Sequence, residues 1–455
     1  MTYEHALAYL ESFVNFERWH APVAMRGVKL TRMRKLLKRL GHPQRRYRSI
    51  VVTGTNGKGS ICAMLYAMLR QSQLRVGLYT SPHLQQVRER IRVEEWIPES
   101  VMVDIIQQMA PVLDDLRRQG LEQTPTYFEV LTAIALVYFN QQQVDVAVLE
   151  VGMGGRLDAT NAVDHTLSVF GPINLDHTDV LGNDMTSIAM EKSGIIRGGQ
   201  TVISATQPAE VADVLRSVCD AHEVPLIASG NQVSVEILRH SAHGLVVSLQ
   251  TPRGRYESVS IPLVGRHQAE NAAVAVAALE ALSPEGLPYD IVAEGLARVE
   301  WPGRLQVVQE EPTVIFDGGH NPHAAETLRA TIRELFPDKI VHLLLGISSD
   351  KLIDGVAKPL GKLAGSVTCT NSRHPRALDP DVLARAMAPY CADVHVMSDP
   401  IDAYTYVLNS VSPKDVIVVT GSFFLVGTLL AAVQRGSLQR RHSSAWHEVV
   451  ADSIR

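Results

Sequence analysis

Short β-branched runs alternate along this chain with stretches whose apolar residues recur at helical spacing. Residues 48–52 (Arg-Ser-Ile-Val-Val) predict a strand, a glycine-rich turn follows, and residues 60–72 predict a helix. Residues 75–79 predict the next strand and 127–140 the next helix. The almost uninterrupted apolar run 144–149 predicts a strand buried on both faces, as at the centre of a parallel sheet. A further strand is expected over 165–173. This alternation points to α/β architecture with a doubly wound sheet.

The pattern changes between about 227 and 264. Val233-Ser-Val-Glu-Ile and Leu245-Val-Val-Ser-Leu alternate in period two, with Pro and Gly between, and predict a small antiparallel insertion. Residues 268–282 are Ala-rich and helical. A boundary is expected at Trp301-Pro302-Gly303, after which strands at 313–316, 340–345 and 416–419 signal a second α/β domain. The expected organisation is a first domain over 1–300, a second over 301–435, and a polar tail over 436–455.

Residues 416–433 carry no charge and could be mistaken for a membrane span. The β-branched start and the Thr420-Gly421-Ser422 punctuation favour a buried strand, turn and helix. Composition is that of an ordinary globular protein: 455 residues, 46% hydrophobic and 20% charged. With 43 Lys+Arg against 48 Asp+Glu, the net charge of −5 excludes a strongly basic nucleic-acid coat and gives no support to a membrane binder. Four scattered cysteines without a CxxC fit neither a disulfide framework nor a zinc site, and suit the cytoplasm. The acidic N-terminus does not read as a signal peptide.

Five motifs could carry chemistry. In Thr53-Gly54-Thr55-Asn56-Gly57-Lys58-Gly59-Ser60, a strand leads through glycines into a helix. Backbone N–H groups there can turn toward phosphate oxygens, Lys58 can reach the terminal phosphates, and Ser60 can offer a hydroxyl to Mg²⁺. Glu150 stands at the carboxyl end of a buried strand, ahead of Gly152-Met153-Gly154-Gly155-Arg156-Leu157-Asp158-Ala159-Thr160-Asn161. A carboxylate there can hold Mg²⁺, or cap the turn. Leu175-Asp176-His177-Thr178-Asp179 could bind metal or form a hydrogen-bonded loop. Lys192, in Glu191-Lys192-Ser193-Gly194, would by itself read as a surface lysine. Trp301-Pro302-Gly303-Arg304 and Asp317-Gly318-Gly319-His320-Asn321-Pro322 could present Arg, Asp and His to a nucleotide.

Together with Thr80-Ser81-Pro82-His83-Leu84, Thr126-Tyr127-Phe128-Glu129 and His267-Gln-Ala-Glu-Asn271, these motifs, in this order, resemble the folylpolyglutamate synthase/dihydrofolate synthase family of the Mur-ligase superfamily. The resemblance runs from about residue 5 to 433. It implies a P-loop Mur-ligase-type central domain with the antiparallel insertion, followed by a Rossmann-like C-terminal domain. It implies an ATP-dependent ligase that adds L-glutamate to dihydropteroate, to tetrahydrofolate, or to both, through an acyl phosphate.

Matched position by position, Asn56, Gly57, Lys58, Gly59 and Ser60 would cradle the ATP phosphates. Asn271, Arg304 and Asp317 would contact the nucleotide, and His320 would lie near the reacting phosphate. Ser60, Ser81 and Glu150 would hold one Mg²⁺. His177 and a carbamylated Lys192 would hold a second. Thr126, Tyr127, Phe128, Glu129, Leu157, Asp158 and Ala159 would form the pterin pocket.

The resemblance implies a monomer and leaves open a requirement for K⁺. Two stretches depart from the family pattern. They are Gly27-Val28-Lys29, at the early pterin loop, and Phe170-Gly171-Pro172-Ile173-Asn174, which is expected to touch no phosphate or metal residue. The alternatives are another Mur-type ligase, for which the P-loop near residue 54 leaves no room for an extra N-terminal domain, and a nucleotide-binding regulatory protein. The second predicts losses among Lys58, Ser60, Glu150, His177 and Lys192, and all five are present.

Overall fold

The computed structural model describes residues 1–19, 29–283 and 286–436. Gly27 and Val28 of the divergent loop, and the expected tail beyond residue 436, lie outside them. The chain divides into two compact units. One comprises Met1–His240 with Gly244–Trp301, the other Ser241–His243 with the chain from Pro302 onward.

The strands of the first unit are β1 (Arg48–Thr53), β2 (Val76–Tyr79), β3 (Ile91–Val93), β4 (Glu95–Trp96), β5 (Val146–Glu150), β6 (Leu167–Phe170), β7 (Thr201–Ser204) and β8 (Leu226–Ala228). They form one sheet in the order β4-β3-β2-β5-β1-β6-β7-β8. The run from β2 to β8 is parallel, and β3 and β4 extend its edge antiparallel.

Alternation across the pleat explains why the central strands read as continuous apolar runs. Val51, Ala147 and Leu149 face a core shared with helices Glu99–Arg118 and Tyr127–Gln141. Ile50, Val52, Val146 and Val148 face a second core, built with helices Lys58–Gln71 and His267–Leu282. With both faces covered, no position is left for a polar residue to reach water.

A three-stranded sheet of β9 (Ser234–Ser241), β10 (Gly244–Gln250) and β11 (Arg255–Ile261) is the antiparallel insertion. It is tied to the Ala-rich helix by the buried Glu280 carboxylate, which accepts from Thr251 Oγ1 at 2.7 Å and from the Tyr256 hydroxyl at 2.8 Å.

The second unit contains β12 (Gln306–Gln309), β13 (Thr313–Phe316), β14 (Val341–Leu345), β15 (Ser366–Cys369), β16 (Val394–Val396) and β17 (Val416–Thr420), in the order β12-β13-β17-β14-β15-β16. All pairs are parallel except β12–β13. The uncharged run is β17 followed by helix Phe423–Gln434. Among the described residues no helix is long and apolar enough to cross a membrane.

Two element ends differ from expectation. The strand expected over 165–173 closes at Phe170, because Gly171 and Pro172 turn beneath the loop that follows β1. The helix expected from about Ser60 starts at Lys58, since Gly57, at φ 78°, makes the turn that opens it.

Candidate active site

In the first unit the candidate residues gather where β1 and β5 end side by side. Val52 is paired with Glu150, and the chain leaves β1 through Thr53 into the loop Gly54–Gly57. Glycine is required at both ends of this loop. Gly54 has φ 146°, and a Cβ there would meet the Gly171 backbone at 3.0 Å. Gly57 has φ 78°, and its Cβ would lie 2.5 Å from Asn271 Oδ1. The structure therefore brings Asn271, from the helix His267–Leu282, directly against the loop.

The divergent segment at 170–174 supports this loop, contrary to expectation. The Pro172 carbonyl accepts the N–H groups of Thr55 and Asn56 at 2.8 and 3.2 Å. A Cβ on Gly171 would stand 2.6 Å from the Asn56 carbonyl oxygen. Thr55 Oγ1 donates to Asn174 O at 2.8 Å. Glycine at 171 is the condition for this crossing, a contact between segments that no local pattern reveals.

Two lysine ammoniums converge on one oxygen. Lys58 Nζ donates to Gly54 O at 3.0 Å and to Thr55 O at 3.2 Å, and Lys192 Nζ donates to the same Gly54 O at 2.8 Å. Lys192 is buried, against the ordinary expectation for lysine. Burial, reinforced by the neighbouring Lys58 charge, pulls its pKa down to about 7. Helix Met185–Ser193 delivers it, and loop 152–161 seats that helix. A Cβ on Gly155 would lie 2.6 Å from Lys192 O, and Asn161 Nδ2 donates to Arg156 O and Gly194 O at 2.9 and 3.0 Å.

The buried Glu150 carboxylate accepts the Ser81 N–H at 2.9 Å, which joins the TSPHL loop to the end of β5. Ser60 is buried in the first turn of helix Lys58–Gln71. His177 lies in a left-handed turn beside Asp176, with Nε2 4.0 Å from its carboxylate, and is half-buried.

Among the residues expected to form a pterin pocket, Glu129 and Asp158 are committed to local hydrogen bonds. Glu129 accepts from Thr126 N and Oγ1 at 2.7 and 2.9 Å, closing a capping box, and pairs with Arg32 at 2.8 Å. Asp158 is buried and accepts four bonds: from Gly152 N, Met153 N, Thr160 N and Thr160 Oγ1. Burial raises its pKa, while those bonds oppose the rise. Tyr127, Phe128, Leu157 and Ala159 are free of such commitment. Phe128 packs against Gly152, where a Cβ would approach its ring to 2.6 Å, and Leu157 is exposed.

Sequence reasoning missed one anchor here. Arg90, fully buried, holds Glu17 through two bonds at 2.7 and 2.6 Å and donates from Nε to His83 Nδ1 at 2.9 Å. Burial and the Arg90 charge push His83 down to about 3, so its imidazole is neutral. An arginine in an acidic–basic surface run gave no sign of being buried.

In the second unit, Arg304 and His320 both meet Phe423, and Asp317 lies beside Arg304. The Arg304 guanidinium lies 4.2 Å over the Phe423 ring, and the His320 ring meets it edge-on at 6.2 Å. Asp317, at the end of β13, accepts Leu305 N at 3.1 Å and Gly319 N at 2.9 Å. Burial raises its pKa, and Arg304 opposes the rise. Gly318 N donates to Gly303 O at 2.8 Å, locking the WPGR and DGGH turns together. Phe423 had been read only as part of a buried helix, although Gly421-Ser422 ahead of it marked a turn at the carboxyl edge of the sheet.

A family model described as the Mur ligase middle domain matches residues 52–279, and one described as the Mur ligase glutamate ligase domain matches residues 303–423. The dihydrofolate synthase/folylpolyglutamate synthase of Bacillus subtilis is 32% identical over 418 residues, covering 89% of this chain and 95% of that protein. A structure of Mycobacterium tuberculosis folylpolyglutamate synthase complexed with ADP superposes with a TM-score of 0.86 at 33% identity, covering 97% of this chain and 99% of the other. Escherichia coli FolC in complex with DHPP and ADP superposes at 0.84 with 31% identity, covering 96% and 99%.

Proposed function

The chain belongs to the Mur ligase family, in its dihydrofolate synthase/folylpolyglutamate synthase branch, and from that membership we propose that it joins L-glutamate to both dihydropteroate and tetrahydrofolate. It is an ATP-dependent, ADP-forming ligase of folate metabolism. Residues 1–300 are assigned to ATP binding and 301–435 to the glutamate ligase domain.

The observation that carries the site assignment is the convergence of Lys58 and Lys192 on Gly54 O, beside the buried Glu150. Lys58 holds a cation where an anionic carboxylate must meet an anionic phosphate, which is the electrostatic difficulty of this reaction, and Lys192 is buried beside it. In this reading the loop residues Asn56, Gly57 and Gly59 and the Lys58 ammonium hold the ATP phosphates. Asn271, Arg304 and Asp317 hold the nucleoside, and Ser60 closes the loop.

The acceptor carboxylate attacks the γ-phosphorus, the bond to the ADP oxygen breaks, and an acyl phosphate forms. The glutamate amine then attacks the acyl carbon, phosphate leaves, and the nitrogen gives up its proton. His320 is assigned to the transferred phosphate. Positioning supplies most of the rate.

Mg²⁺ fits the first donor set. The Ser60 hydroxyl and the Glu150 carboxylate are buried hard oxygen donors, with Ser81 fastened to Glu150, and phosphate oxygens and water complete such a shell. The ion supplies charge neutralisation between the two anions. A second ion fits His177 and Lys192 only if the lysine is carbamylated, since an ammonium cannot ligate. An amine with a pKa of about 7 is substantially neutral at neutral pH, and its addition to CO₂ with loss of a proton gives an oxygen donor. Tyr127, Phe128, Leu157 and Ala159 are assigned to the pterin wall, and Thr126, Glu129 and Asp158 to its frame. Four buried cysteines, all unpaired, support activity as a cytoplasmic enzyme, taken here as a monomer.

The test is ADP release by purified protein with Mg-ATP, L-glutamate and bicarbonate, comparing 7,8-dihydropteroate with tetrahydrofolate. Turnover on both is expected. Turnover on tetrahydrofolate alone would make it a polyglutamylating enzyme only. ADP release that needs neither acceptor would overturn the ligase reading.

A further inference from the structure

Along the helix that carries the phosphate loop, away from Lys58, lies a cleft of about 220 Å³ wholly within the first unit. Its walls are the aromatic rings of Tyr66 and Trp301, and its rim carries Arg70, Arg92, Arg298 and one carboxylate, Glu300. Ala63 and Ala67, on the same helix face as Tyr66 and Arg70, leave the floor low.

The arginines are arranged rather than scattered. Arg70 and Arg92 come from different elements and both lie over the Tyr66 ring, at 5.6 and 5.3 Å. Among the described residues neither meets a carboxylate within ion-pair distance. Arg298 is oriented by Gln71 Oε1 at 2.9 Å and by Glu294 at 2.9 Å. Three guanidiniums face one concave space against two carboxylates, Glu300 on the rim and Glu294 paired with Arg298, so the space keeps a net positive charge that an anion between them neutralises. Aromatic walls and stacked guanidiniums select a planar ligand.

We propose that this cleft is a binding site for a small, flat aromatic ligand bearing two or more carboxylates. The site is also wired to the phosphate loop. The Trp301 ring packs against Gly59, where a Cβ would approach it to 2.6 Å, so a ligand stacked on Trp301 presses on the turn that holds the phosphates. The expected consequence is a change in ADP affinity on occupancy.

The test uses isophthalate, a planar dicarboxylate, titrated calorimetrically into the full-length protein with ADP saturating. One site per chain is expected. Succinate, which has the charges without the ring, should bind about tenfold more weakly. Arg70→Glu and Arg298→Glu, both at exposed positions and therefore compatible with folding, should each weaken isophthalate about tenfold or more. Absence of binding at millimolar isophthalate would overturn the proposal, as would unchanged affinity in both variants. Displacement of isophthalate by ADP in simple competition would also overturn it, by making the cleft part of the nucleotide site.

Discussion

The loop after β1 and the loop after β13 both leave the carboxyl edge of a parallel sheet, one in each unit, and both are built on glycine. In the first, glycines at 54 and 57 let backbone and two lysine ammoniums close around one carbonyl oxygen. In the second, Gly318 and Gly319 let two backbone N–H groups close around one carboxylate, Asp317, with Arg304 stacked on Phe423 beside it. The first loop therefore gathers two basic side chains at one point. The second holds a buried carboxylate whose two oxygens accept backbone N–H groups. The same topological place carries basic side chains in one unit and a buried carboxylate in the other, and the side chains added to the glycine frame make the difference.

Breaking the first loop should cost most. Lys58→Ala should lower kcat/KM about 1,000-fold, measured as ADP release, because no other group there supplies a mobile cation at the phosphates. Lys192→Met should cost about 100-fold, and its pH behaviour separates a carbamate from a structural lysine.

In the native protein the neutral amine fraction rises as pH passes through about 7, so activation by dissolved CO₂ should rise with it, and Lys192→Met should show no CO₂ response. The sign for stability follows from the lowered pKa. Between about 7 and the ordinary lysine value near 10.5 the unfolded chain binds more protons, so native stability gains with pH in that window. Lys192→Met should therefore gain most over the native protein below pH about 7, in thermal melts compared across pH, and lose that advantage as pH rises.

Breaking the second loop should cost less. Asp317→Asn keeps one acceptor oxygen and sets an amide N–H against a backbone N–H, so KM for ATP should rise about tenfold with kcat little changed. A change in kcat of the same size as in Lys58→Ala would erase the distinction between the loops. Smallest is Thr126→Ala, outside both loops. It removes the cap of helix Tyr127–Gln141 and should cost about 1 kcal/mol in chemical denaturation, with a modest effect on the pteridine substrate.

The comparison also marks how far residues alone could be read. The glycine-split phosphate loop, the acid ending β5 and the DGGH turn were legible because each is a local pattern in which strand, turn and residue type coincide. Gly171 was misjudged for the opposite reason. Its partner, Asn56, is distant in sequence, so the segment looked like a neutral departure until the two backbones were seen to cross. That Glu129 and Asp158 commit their carboxylates to local bonds was not legible, because a carboxylate that accepts four bonds looks in sequence like one that accepts a ligand. Arg90 and Phe423 were passed over because burial of an arginine, or exposure of one face of a phenylalanine to a neighbouring loop, depends on what packs there.

By itself the sequence determined the α/β class, the strands of both sheets' centres, the antiparallel insertion and the glycine-rich turn between the first strand and its helix. Each follows from periodicity, β-branching and turn chemistry over a few consecutive residues, which are properties a chain carries before it folds. Only the tertiary structure decided that Lys192 is buried against Lys58, that Asn271 abuts Gly57, and that three arginines rim one cleft. Charge, pKa and polar partnership depend on distance and on the exclusion of water, and both are fixed only when segments remote in sequence pack together.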